Sequence, residues 1–189
     1  DTSDEWIRSR TGIKERRILK DPNKATSFLA IEAANEVLRK SNCAPEEIDM
    51  LILATITPDM KVAATAAKVA TNIGAVNAFA FDLQAACSGF LYSLSMAAAK
   101  IEAGHCQKIL VVGADKMSSI VDYTDRTTCI IFGDGAGAVL MEASSNAFGW
   151  EDEYFRSNGM GQEFLHVKAG GSLHPTTEET LAKGWETIY

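Results

Sequence analysis

The chain has 189 residues, 47% of them hydrophobic and 23% charged, which is the composition of a globular protein with a core of its own. A formal net charge of −7 argues against bulk binding to nucleic acid or to an anionic membrane. No apolar run is long enough to span a bilayer, and no secretory leader is recognisable. Cys43, Cys87, Cys106 and Cys129 form no C-x-x-C pair and no zinc spacing, so free thiols in a reducing cytoplasm are expected. A start at Asp1 without Met and an end at "GWETIY" read as cut ends.

In chain order, residues 8–20 (RSRTGIKERRILK) set six basic side chains against Glu15. They read either as a solvated turn-and-strand face or as a site for a phosphorylated ligand. Residues 25–41 predict an amphipathic helix: Phe28, Ile31, Ala34 and Leu38 share one face, with Glu32, Glu36 and Lys40 opposite. The unbroken apolar run 48–55 (IDMLILAT) predicts a strand covered on both faces. A helix over 65–73, a strand over 78–83, a helix over 88–103 and a strand over 108–114 follow. This alternation points to an α/β sandwich with right-handed crossovers. Beyond the loop 122–128, short strands are expected at 129–132 and 136–141 about a "GDGAG" turn. A dinucleotide reading of those glycines is weak, because β-type residues flank them on both sides. Composition shifts near Asn146, where a domain boundary and a fresh pair of strands are expected.

The helix after Cys87 is apolar and small all round from Gly89 to Ala99, which predicts burial on all sides. Cys87 stands at its N-terminus, where unpaired amides and the helix dipole favour a thiolate, and its own amide could serve an oxyanion. The bland alternative is an inert buried thiol, the reading given to Cys43, Cys106 and Cys129.

Four segments together resemble the β-ketoacyl-acyl carrier protein synthase III family of thiolase-like condensing enzymes: "DTSDEWIRSRTGIKERRI" (1–18), "AACSGFLY" (85–92), "TDRTTCIIFGDGAGAVL" (124–140) and "AGGS" (169–172). The resemblance implies an α/β fold, a layered αβαβα sandwich with mixed five-stranded sheets. Residues 1–146 would be most of its first half, lacking the opening strand, and 147–189 the start of the second. It implies Cys87 as acyl-accepting nucleophile, with acyl-coenzyme A and malonyl-acyl carrier protein as substrates, no cofactor and no metal, in a cytoplasmic homodimer. It also implies that Thr2, Trp6, Arg10 and Arg126 hold coenzyme A, the purine lying between Trp6 and Arg126. The bland alternatives are a half-buried core aromatic for Trp6 and a salt bridge to Asp122 or Asp125 for Arg126. Val62, in a Val-Ala-Ala run, would line the partner subunit's acyl pocket and leave room for branched or longer primers. The family's His and Asn are absent from this chain, and none of His105, His166 and His174 sits in the matching motif. These residues alone should therefore lack condensing activity and leave apolar faces exposed. A related condensing enzyme of polyketide or alkylquinolone-type synthesis, or a non-catalytic fragment, are the alternatives.

Overall fold

A computed structural model describes residues 2–145 and 149–189. They divide into two compact units, one drawn from residues 20–116 and 135–153, the other from 1–19, 117–134 and 154–189. The boundary expected at residue 146 lies outside the described residues.

The larger unit is built around β1 (Met50–Ala54), every residue of which is buried. β1 pairs in parallel with β2 (Phe79–Leu83) and β3 (Lys108–Lys116), so that Ile52 lies opposite both Phe81 and Val111. β4 (Asp134–Glu142) completes the order β2-β1-β3-β4. The Ala143 amide donates to the Gln107 carbonyl at 3.0 Å, tying the end of β4 to the approach to β3, so β4 runs antiparallel. Strand alternation then sorts the core. Leu51, Leu53, Leu110 and Val112 face α2 (Thr26–Ser41) and α3 (Thr65–Ile73). Met50, Ile52, Ile109 and Val111 face the other way, with Ala97 of α4 (Gly89–Glu102).

Carboxylates fasten these crossovers. Neither α2 nor α3 has a side-chain N-cap of its own, since Ala25 and Ala64 occupy those positions. Asp59 accepts instead from the Ser27 amide at 2.9 Å, and Asp82 of β2 accepts from the Thr65 and Ala66 amides at 2.8 and 2.7 Å. At the end of β3, Asp115 Oδ1 accepts from the Thr55 hydroxyl, the Ile56 amide and both the amide and hydroxyl of Thr57, at 2.9–3.1 Å.

Two glycines let α4 lie close to the sheet. A Cβ on Gly89 would stand 3.4 Å from Ala54 Cβ, and one on Gly113 would stand 3.1 Å from the Phe90 ring. Burial of α4 on all sides is not what this chain provides. Gly89, Ser93, Ala97 and Ala98 are buried, but Leu91 is 52% and Met96 39% exposed. Phe90, Leu94 and Ile101 pack against the sheet beside these small residues, while Leu91 and Met96 point outward.

The smaller unit holds α1 (Asp4–Thr11), which the sequence reading passed over. Its signals are local: Ser3 Oγ accepts from the Trp6 amide at 3.1 Å, Asp4 and Glu5 fill the first turn, and Gly12 ends it at φ 72°. Residues 129–132 are turns, not a strand. Asp125 accepts from the amide and hydroxyl of Thr127, and its carbonyl from the Cys129 amide, so turn chemistry overrides the apolar run. The "GDGAG" glycines are likewise not a hairpin, because residues 134–142 form one strand. The strand pair expected after 147 reduces to a single antiparallel bridge, Val167 to Ile188, beside a 3₁₀ helix (Gly159–Phe164) and α5 (Glu178–Ala182). Gly and charge in this tail leave too little apolar alternation for a sheet.

Asp115→Ala orphans several buried donors and should cost about 3 kcal/mol in urea denaturation, with Asp115→Asn, which keeps an acceptor, costing less. Burial works to raise the Asp59 pKa, but the Lys68 ammonium at 2.7 Å and the Ser27 amide outweigh it and hold the carboxyl below its usual value. Its stabilising contribution is therefore complete above an unfolded pKa of about 4 and lost as pH falls through the lower folded value. Asp59→Asn should flatten the acid limb of stability below about pH 4, as read from urea midpoints across that range.

Candidate active site

Cys87 sits where β2 must turn back over the sheet as α4. After Leu83 the backbone passes through Ala85 at φ −149°, ψ 32° and Ala86 at φ 46°, and closes one turn of 3₁₀ helix (Ala86–Ser88) before α4 begins. The nucleophile candidate thus lies in a separate turn just ahead of the helix, with the Ser88 amide donating to the Ala85 carbonyl at 3.1 Å. Left-handed φ disfavours any Cβ, and alanine keeps that conflict to a methyl. Gly89 itself then fits closely against Ala54 and Leu83.

This geometry separates the four thiols. Cys87 is exposed, Cys129 is half-buried, and Cys43 and Cys106 are buried. Burial pushes the Cys43 thiol up, and burial followed by the Asp49 charge does the same for Cys106, which disfavours their reactive thiolates. Of these cysteines, Cys87 is the one open to a substrate carbonyl.

In the smaller unit the structure brings Trp6, Arg10 and Arg126 together. The Arg10 Cζ lies 4.4 Å and the Arg126 Cζ 5.5 Å from the centre of the Trp6 ring. Trp6 is half-buried on α1, one turn before Arg10, and Thr2 is half-buried just ahead of the Ser3 cap. The alternative salt bridge for Arg126 does not form, because both neighbouring carboxylates close their own turns. Asp122 accepts from the amide and hydroxyl of Thr124, and Asp125 from those of Thr127, at 2.7–2.8 Å. These threonine bonds hold both carboxyls below the usual range.

Asp134, unnoticed in the sequence, fastens the basic run in this unit. Its carboxylate accepts from the Leu19 amide and from the amide and hydroxyl of Ser118, at 2.7–2.8 Å. The signal was the Asp between two glycines: Gly133 must pass so close to residue 17 that a Cβ would stand 3.1 Å from the Arg17 carbonyl oxygen.

Val62 lies in the loop between β1 and α3. It is fully exposed at φ 74°, and the Ala63 amide donates to the Lys61 carbonyl at 3.0 Å across it. This is a γ-turn with positive φ at its apex, a strained conformation for a β-branched residue. Among the described residues no group of three or more His, Cys, Asp or Glu side chains could hold a metal ion.

Limited treatment of the native protein with iodoacetamide should label Cys87 first, with Cys43 and Cys106 reacting only on denaturation. Equal labelling of all three would contradict the burial that distinguishes them.

The sequence and fold match known proteins. The family model described as 3-oxoacyl-[acyl-carrier-protein (ACP)] synthase III matches residues 81–159. The β-ketoacyl-[acyl-carrier-protein] synthase III of Chlorobium luteolum is 55% identical over the whole chain, which covers 58% of that protein. The crystallised synthase III of Thermus thermophilus aligns at a TM-score of 0.85 with 41% identity, over 95% of this chain and 54% of that one. The priming β-ketosynthase of a polyketide pathway aligns equally well at 0.85, with 30% identity, over 100% of this chain and 55% of that one. The chain thus spans a little over half the length of the relatives it matches. In sequence and in its thiolase-like fold, it belongs to the 3-oxoacyl-[acyl-carrier-protein] synthase III family.

Proposed function

We propose that this chain supplies the acyl-accepting nucleophile and the coenzyme A platform of a cytoplasmic condensing enzyme that starts type II fatty-acid synthesis. The observation that carries this reading is the exposed thiol of Cys87 in the turn between β2 and α4, within the segment that the family model matches. The Cys87 thiolate attacks the thioester carbonyl of an acyl-coenzyme A. A C–S bond forms to the enzyme as coenzyme A leaves as its thiolate, and the Cys87 amide is one donor to the transient oxyanion. Malonyl-acyl carrier protein then loses carbon dioxide. Its carbanion attacks the acyl-cysteine, forming the C–C bond of a 3-ketoacyl-carrier protein and releasing the Cys87 thiolate. Coenzyme A is the acyl donor, and the reaction needs no bound cofactor. The groups that stabilise the carbanion are not assigned to any residue of this chain.

Trp6, Arg10, Arg126 and Thr2 hold the nucleotide in this reading. Indole and guanidinium are flat platforms for a purine, and a guanidinium recognises phosphate well. Val62 serves the acyl pocket of a second subunit: its strained, outward apex is the kind of outlier that points to a functional contact. Its modest side chain admits branched or longer primers. A homodimer fits the edge strand β2, where Phe79 and the nearby Val76 are exposed. The polyketide-priming alternative rests on the 30% identical structural neighbour, and the 55% identity to a synthase III named for the carrier-protein reaction favours the fatty-acid reading.

Incubating the full-length protein with acyl-coenzyme A should place one acyl mass on the peptide containing Cys87, and Cys87→Ser should abolish it. An adduct on Cys43 or Cys129, or none at all, would sink the assignment. Condensation with malonyl-carrier protein should far exceed that with malonyl-coenzyme A. The reverse preference would favour the other pathways.

A further inference from the structure

The stack on Trp6 is too tight to hold a purine. A ring lying between Trp6 and Arg126 needs a contact on each face, roughly 3.5 Å apiece, so the guanidinium must stand about 7 Å from the indole. It stands at 5.5 Å, within cation–π range. Arg10 is closer still, at 4.4 Å.

Arg126 has nowhere better to be. Its two neighbouring carboxylates are occupied by Thr124 and Thr127, which also fix the turns on either side of it. Its side chain is exposed on a loop, while Trp6 is held on α1 by the Ser3 cap and the helix behind it. The mobile partner of this pair is therefore the arginine.

We propose that Arg126 is the cover of its own binding site: in the ligand-free protein it lies on the Trp6 ring and occupies the space of the incoming purine. This rests on the nucleotide reading of Trp6 and Arg126 above. Binding lifts the guanidinium by at least about 1.5 Å onto the outer face of the base, so that one side chain closes the empty platform and then clamps the filled one. The cover has a cost in affinity. An exposed cation–π contact leaves the open state populated at about one part in three to one in six, so apparent affinity falls by about three- to sixfold from that of a pre-opened site. The cover also keeps a bare indole from presenting a sticky apolar face to water.

The test uses the full-length protein carrying Trp150→Phe and Trp185→Phe, with any tryptophan outside residues 1–189 also replaced by Phe, so that Trp6 alone emits. Acrylamide quenching of Trp6 in the ligand-free state is compared with and without Arg126→Ala. Removing the cover should raise the quenching constant about twofold or more, and coenzyme A should lower it in the unaltered background as the purine covers the ring. An unchanged quenching constant in Arg126→Ala, or a rise only in Arg10→Ala, would overturn the proposal even if coenzyme A protects Trp6. If coenzyme A leaves Trp6 quenching and emission untouched in every variant, the nucleotide reading falls, and the proposed role of the cover falls with it.

Discussion

Burial of β1 on both faces is the constraint from which the larger unit follows. A strand with no polar alternation can be stable only between two layers, so α2 and α3 must cover one face and α4 the other. Reaching opposite faces from parallel strands forces each crossover to leave the sheet at the carboxyl end of a strand. β2 leaves it at Leu83, and within four residues the chain has turned through Cys87 toward α4. The exposed thiol is thus a consequence of topology: the last residues before a covering helix lie at the sheet's end, where neither helix layer can bury them.

That arrangement places backbone amides where water is scarce, and carboxylates answer the need. Asp59, Asp82 and Asp115 each accept from two or more donors on a different segment, so one side chain does the work of a cap and of a tertiary tie. Asp134 plays the same part in the smaller unit, joining residue 19 to residue 118. These acids help to make the chain acidic without forming an exposed anionic face. The formal charge of −7 therefore says less about partners than it first suggests.

Much of this was legible in the sequence where periodicity was strong. The α2 helix is amphipathic over four turns, β1 is apolar without a break, and Gly74 closes α3 at φ 85°, so their bounds fell within two residues of expectation. What was missed depends on short polar contacts rather than on period. The Asp125 turn converts an apolar "CIIF" into a coil, and α1 rests on a serine cap too local to outweigh its dense charge. The candidate site divides the same way. Cys87 and the Trp6–Arg126 pairing follow from motif resemblance, but the 5.5 Å separation that closes the pair could not be read from residue types. The outward face of α4 was misjudged for a related reason: all its apolar residues count alike in composition, yet Phe90, Leu94 and Ile101 pack on the sheet while Leu91 and Met96 do not.

Backbone strain supplies an independent line of argument. Among the described residues, Asn42, Val62 and Ala86 have positive φ without being glycine. Asn42 is the C-cap of α2, a position that asparagine tolerates well and that needs no further reason. Val62 and Ala86 end no α-helix, and neither side chain can hydrogen-bond its own backbone. Such a residue persists in the left-handed region only where the flanking structure over-determines it, at a cost of about 1–3 kcal/mol. For Ala86 the flanks are β2 and the close seat of Gly89; for Val62 they are the Asp59–Thr65 contact and the start of α3. The first strained residue precedes the exposed thiol, and the second lifts a valine into solvent. Strain with no capping role therefore falls at Val62 and at the residue before Cys87, although neither position was chosen from its backbone angles.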